Sequence, residues 1–159
     1  MKKDEDVKRQ VDLPIEIDLL FDNKKLDAMK YLLIMYQIKM KSNRRISFEE
    51  LLYYYTLLYY ETNNHKVPLV NKYMRDKKNI NEVIIFLENL GYINLYGKIS
   101  SRIQQLKISL TDLGIDSIEA WELEILGNYS EIITKYIQNY PFGGAKVEFQ
   151  NLLDNGVFS

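Results

Sequence analysis

Lysines, arginines and tyrosines are the residues of this chain whose spacing could do chemistry. There is no cysteine and a single histidine, His65, so thiol catalysis, disulfides and cysteine-held zinc or iron–sulfur sites are excluded. A Ser-His-Asp arrangement would have to use His65, which stands in the polar run Asn63-Asn64-His65-Lys66 where a solvated ring is expected. No glycine-rich phosphate loop, paired-histidine metal motif or nucleophile elbow occurs. Asp112 and Asp116 are one helical turn apart, as metal-holding carboxylates would be, but acids at a helix start suit its dipole. We therefore expect no metal, no cofactor and no enzyme.

The charges point elsewhere. The formal net charge is −1, yet residues 24–111 hold 15 Lys/Arg against 7 Asp/Glu, and residues 112–159 hold 2 against 8. A basic body meets phosphates electrostatically before any base is read. Within it, residues 66–78 carry Lys66, Lys72, Arg75, Lys77 and Lys78 against Asp76 alone, and Lys98, Arg102 and Lys107 follow. Thirteen tyrosines would suit base stacking. Tyr53, Tyr54, Tyr55, Tyr59 and Tyr60, however, share a stretch without basic neighbours, which suits packing or a protein interface. The opening MKKDEDVKRQVD is charged where a signal peptide needs an apolar run, and no stretch of ~18 apolar residues occurs. A cytoplasmic protein is expected.

The elements that must position these residues follow from periodicity. Residues 1–23 read as an arm, with 13–17 extended and confined to an edge by Pro14. Residues 25–40 repeat Leu26, Met29, Leu33, Tyr36 and Met40 at helical spacing. Ser47-Phe48-Glu49-Glu50 is a capping box that opens a helix over 48–60, flanked by Ile46 and Leu51 as a hydrophobic staple. That helix has no polar face, so it must be central or shared with a partner. Residues 61–79 read as a polar connector in which 69–76 forms a short helix, and Asn79 caps the next helix, 80–90. Ile80, Val83, Ile84, Leu87 and Leu90 face inward there, and Gly91 ends it. Residues 92–96 and 102–110 pair as a hairpin, Thr111 caps a long helix to about 126, Gly127-Asn128 breaks it, and Ser130 starts another to about 140. A weakly amphipathic segment, 145–153, closes the chain.

The order helix, capped helix, helix, Gly, hairpin, helix is sharpened by Phe86-Leu87-Glu88-Asn89-Leu90-Gly91-Tyr92-Ile93 and by Ile108-Ser109-Leu110-Thr111-Asp112-Leu113-Gly114. Over residues 26–125 the chain resembles winged-helix regulators of the MarR and PadR kind. A fainter resemblance, carried by Leu26-Asp27 and Ile46-Ser47-Phe48-Glu49-Glu50-Leu51, is to winged-helix middle components of bacterial three-component ATPase-linked defence systems. These resemblances imply a mainly α (α+β) winged helix-turn-helix with a two-stranded wing and additional C-terminal helices. The implied division is an arm at 1–23, a winged-helix core at 24–111 with a 61–79 insertion, and a helical region at 112–159.

In the resembled regulators the third helix reads DNA, and here the chain departs from them. Residues 80–90 turn Asn81, Glu82, Ile85, Glu88 and Asn89 outward, two acids and no base. Between Tyr60 and Ile80 lie 19 residues, where a helix-turn-helix uses about 3–4. The expected duplex contacts therefore move to the insertion and wing, Lys66, Asn71, Lys72, Arg75, Lys77, Lys78, Lys98, Arg102 and Lys107, with Asn71, Lys72 and Arg75 outward on 69–76. A transcriptional regulator is the leading expectation, and a protein-binding adaptor in a multi-component bacterial system is the alternative. Terminal helices build the dimer in the resembled regulators, so a homodimer through Ile115, Ile118, Trp121, Ile125, Ile132, Ile133, Tyr136 and Ile137 is expected, against a monomer that folds these helices over itself.

Overall fold

The computed structural model describes residues 23–63, 69–98, 100–121 and 124–158; the arm expected at 1–23 lies outside them except for Asn23, which opens the first helix. The described chain is mainly helical with one small antiparallel sheet, an α+β fold. Its elements are α1 (Asn23–Ser42), β1 (Ile46–Ser47), α2 (Phe48–Thr62), α3 (Val70–Asn89), β2 (Ile93–Tyr96), β3 (Lys107–Leu110), α4 (Asp112–Glu119), α5 (Glu124–Asn139) and α6 (Lys146–Asn155). No helix of the described residues is long and apolar enough to cross a membrane.

Helix α2 sits at the centre because its sequence leaves it no outer face. Phe48, Glu50 and every residue from Leu51 to Leu58 are buried. Helices α1, α3 and α5 pack around it. The Ser47 hydroxyl caps it by accepting from the Glu50 amide at 3.0 Å. The second half of the expected capping box is not made: both Glu50 carboxylate oxygens accept from Arg44, one at 2.7 Å. With Glu50 only 4% exposed, a guanidinium fork compensates the buried charge better than a single amide.

Helix α1 ends where Asn43 takes a left-handed φ of 45°. The next residues form β1, which was not expected from the sequence and is too short to show alternation. It pairs with β3 (Ile46 opposite Ile108), and β3 pairs with β2 (Leu95 opposite Ile108), in the order β1-β3-β2. The hairpin is thus bonded to the start of α2, and a short helical turn, Ile103–Gln105, precedes β3.

Two sequence phrases meet at the junction of hairpin and helix. Gly91 takes φ 80° to end the α3 region. Thr111 donates its hydroxyl to the Gly91 carbonyl at 2.6 Å and its amide to the Tyr92 carbonyl at 3.0 Å. The same hydroxyl accepts from the Gly114 amide at 3.0 Å. A side chain at 114 would bring its Cβ to 2.3 Å from the Tyr92 carbonyl oxygen, so only glycine fits this contact.

The structure corrects three expected boundaries: the strand expected over 102–110 is only β3, because Ile103–Gln105 forms a helical turn, and two helices are redrawn. The connector drawn over 61–79 is mostly helix: α3 is one continuous run of 20 residues beginning at Val70, not a short helix followed by a second capped at Asn79. The long helix expected from Thr111 to about 126 ends at Glu119, and α5 runs straight through Gly127-Asn128. A Cβ at Gly127 would meet nothing within 4 Å. That glycine therefore costs only its intrinsic ~1 kcal/mol, while Leu126, Tyr129, Ile133, Tyr136 and Ile137 hold the helix to the core.

The register of α3 is open to a direct check. Ile84 is fully buried and its neighbour Ile85 is 43% exposed. Ile84→Ala should cost about 2–5 kcal/mol and Ile85→Ala no more than about 0.5 kcal/mol. Urea titrations of both variants measure this, and equal losses would place the buried face elsewhere.

Candidate nucleic-acid interface

The continuous α3 changes the meaning of the basic stretch. Its second half buries Ile80, Ile84 and Leu87, with Val83 half-buried and Leu90 exposed, where both were expected inward. Its first half exposes Val70, Asn71, Met74, Arg75, Lys77, Lys78 and Asn79. The bases assigned to an insertion are therefore the opening turns of the third helix. At 100° per residue, Asn71, Arg75 and Lys78 fall on one line along it.

Lys72 is the exception. Expected to point outward, it instead bonds both oxygens of Asp76 at 2.8 Å. Its ammonium lies 5.0 Å from the Tyr55 ring centroid and 4.8 Å from that of Tyr59. The i,i+4 pair fastens the first half of α3 to α2, with the lysine stem covering aromatic surface. Burial pushes the Asp76 carboxyl above the usual carboxylate range, against the pull of Lys72.

The hairpin adds the other bases. Gln104 donates its side-chain amide to the Lys77 carbonyl at 3.0 Å, which sets the turn before β3 against the middle of α3. Arg102 precedes that turn and is exposed, as are Lys98 in the hairpin loop and Lys107 at the start of β3. Among the described residues, Lys77, Lys78, Lys98, Arg102 and Lys107 form no ion pair. Lys66 lies outside the described residues, as does His65.

One base was missed from the sequence. Arg45 is exposed, its guanidinium 3.5 Å above the Tyr96 ring. Tyr96 and Ser47 both pair with Lys107 across the sheet, so Arg45 joins Lys107 at this edge. The Arg44-Arg45 dipeptide before the cap was the available signal. Arg44 is taken by Glu50, which leaves Arg45 the outward one.

The other end of α3 has a different character. Glu82 and Glu88 are exposed there beside Ile85 and Phe86, 43% and 47% exposed. Leu90 and Leu113 are 44% and 53% exposed. Asp112 and Asp116 are exposed on α4.

The expected dimer face is used inside the chain. Ile118, Ile133, Tyr136 and Ile137 are buried, and Ile115, Trp121 and Ile132 pack against the same core. The Ile125 side chain lies outside the described ones. Helix α5 rests on α1 and α2, and the Tyr136 hydroxyl donates to Glu61 at 2.6 Å. Because α2 needs covering on every side, α5 lies over it within the chain, and Ile133, Tyr136 and Ile137 are buried there.

Comparison with protein-family models, curated proteins and solved structures finds no match to this chain.

The Asp76 carboxyl gives a pH test of the α3 anchor. A carboxyl whose folded value is raised contributes stability that is full below 3.8, its ordinary value, and is lost as pH rises through the raised range. The stability of the protein minus that of Asp76→Asn should therefore fall between that value and neutrality. Thermal melts of both proteins across this range measure it, and a difference that grows with pH would mean that Lys72 outweighs burial.

Proposed function

We propose that this chain is a non-enzymatic, cytoplasmic winged-helix protein that binds double-stranded DNA and acts as a transcriptional regulator. The observation that carries the reading is that the basic stretch forms the exposed first half of α3 and that Gln104 holds the wing turn against it. A winged-helix reading is supported by the order α1-β1-α2-α3-β2-β3 and by the sheet order β1-β3-β2. Only seven residues, 63–69, separate α2 from α3, so the long insertion that counted against a reading helix falls away.

In this reading the two halves of α3 divide the work. Asn71, Arg75 and Lys78 enter the major groove, where Asn and Arg side chains address base edges. Lys77, Lys98, Arg102, Lys107 and Arg45 meet the flanking phosphates, which fix register and supply most of the affinity. The second half stays on the body. Glu82 and Glu88 stand away from the duplex, where their repulsion costs least.

A protein-binding adaptor is the second reading. It is favoured by the exposed Ile85, Phe86, Leu90 and Leu113 beside two acids, since apolar surface rimmed by charge marks protein contacts.

A duplex titration at several salt concentrations separates the two. The protein should bind duplex, and combining Lys77→Gln, Lys78→Gln and Arg102→Gln should flatten its salt slope by roughly 0.9 for each phosphate that is no longer neutralised. Lys72→Gln should leave the slope unchanged, because Lys72 is committed to Asp76. No duplex affinity at low salt, or an unaltered slope in the triple variant, would reject the DNA reading and favour the adaptor.

A further inference from the structure

A cleft of about 530 Å³ opens between α1, α2 and α3, on the side of α3 that faces the body. Pockets of this size hold small molecules when apolar walls surround a few converging polar groups. Here polar groups come from all three helices: Asp27 and Tyr31 from α1, Tyr55 from α2, and Asp76, Asn79 and Glu82 from α3. Tyr31 and Tyr55 are stacked, with ring centroids 4.3 Å apart and planes 19° from parallel. Both rings are nearly inaccessible, at 2% and 3% exposed, yet both line the cleft.

Their hydroxyls are treated differently. Tyr55 donates to Asp27 Oδ1 at 2.6 Å. The Tyr31 hydroxyl has no hydrogen-bond partner among the described residues and is not a buried orphan, since Asn81 Oδ1 alone among them is buried without a partner; the Tyr31 oxygen is therefore open to the cleft. Burial and the nearby Asp76 and Asp27 carboxylates hold its proton on well beyond the usual phenol range. It is thus a neutral hydroxyl with free acceptor capacity beside two negative charges.

Acceptors outnumber free donors in this cleft. Asp27 and Glu82 line it, and Asp27 Oδ2 has no bond to the protein among the described residues. Of the cations at or near the cleft, Lys72 is bonded to Asp76, Lys30 lies over the Tyr129 ring at 5.1 Å and feels the Asp27 charge, and the lining Lys24 and Lys25 have interactions of their own. The opposite wall, from α3, is mixed: Ile80, Val83 and Phe86 give it an apolar strip, flanked by Asp76, Asn79 and Glu82.

We propose that this cleft binds a small organic amine with an aromatic or apolar body. Its ammonium sits between Asp27 and the Tyr31 hydroxyl, and its body lies on Ile80, Val83 and Phe86. An ammonium supplies donors only, which is what this acceptor set lacks. The amine would rest on the turns of α3 that follow Lys77 and Lys78. The assignment does not depend on the DNA reading, and its test contains no DNA.

The test is calorimetric titration of the full chain with three probes that share one ring: 2-phenylethylamine, 2-phenylethanol and phenylacetate. The amine should bind saturably, with the alcohol and the acid at least about tenfold weaker, as loss of a charge-assisted hydrogen bond implies. Tyr31→Phe, which removes only an unpaired hydroxyl, should weaken the amine several-fold, and Asp27→Asn should weaken it about tenfold or more. Should Asp27→Asn fail to fold, Tyr31→Phe alone decides the point. Equal binding of the three probes, no saturation by the amine, or an unchanged affinity in Tyr31→Phe would overturn the assignment.

Discussion

Everything in this molecule is arranged around a helix that has no polar side. From Leu51 to Leu58 each residue of α2 is buried, so the hydrophobic effect is satisfied only when neighbours close over it from all directions. Helices α1, α3 and α5 do so. The tyrosines among these residues keep their hydroxyls paired at the edges of the ring: Tyr53 to the Tyr140 carbonyl at 2.7 Å, Tyr54 from the Phe142 amide at 2.9 Å, Tyr55 to Asp27. Burying an aromatic body while its polar tip finds a partner is the favourable use of tyrosine. The same demand draws α5 onto the core, where Ile133, Tyr136 and Ile137, expected at a two-fold interface, are buried within the chain.

That demand also shapes α3. Its second half buries the aliphatic side chains Ile80, Ile84 and Leu87 in the core, but its first half meets Tyr55 and Tyr59, and it does so with the Lys72–Asp76 pair. A charged pair laid on aromatic rings packs adequately and leaves the remaining charges of those turns, Arg75, Lys77 and Lys78, facing solvent. One helix therefore holds both a fastened body and a basic front, and the turn before β3, bonded at Lys77, extends that front. Beneath it, the cleft at Tyr31 and Asp27 touches the same helix from the other side.

Those physical facts explain what was legible in the sequence. The Ser47 cap, the Gly91 stop, the Thr111 cap and the stripe Ile80-Ile84-Leu87 were readable because each rests on local chemistry or on aliphatic periodicity. The first half of α3 was not, because its inward residues are Lys72, Tyr73 and Asp76. A helix whose buried face is a salt bridge on tyrosines shows no apolar period. Gly127-Asn128 misled for the opposite reason: a turn signal was overruled by the buried stripe on the far side of α5. The basic character of residues 71–78 was plain from composition, but the element that carries it was not, and Arg45 stands out only with Tyr96 beneath it.

The basic stretch belongs to one unbroken helix anchored on α2, and amide hydrogen exchange probes that continuity residue by residue. Slow exchange follows from stable, cooperative hydrogen bonding. Protection should run without interruption from Met74 through Leu87, with Lys77, Lys78 and Asn79 protected like the residues on either side. Fast exchange up to Asn79 with protection beginning only at about Ile80 would contradict it, returning the bases to a solvated connector and removing the helical front on which the DNA reading stands.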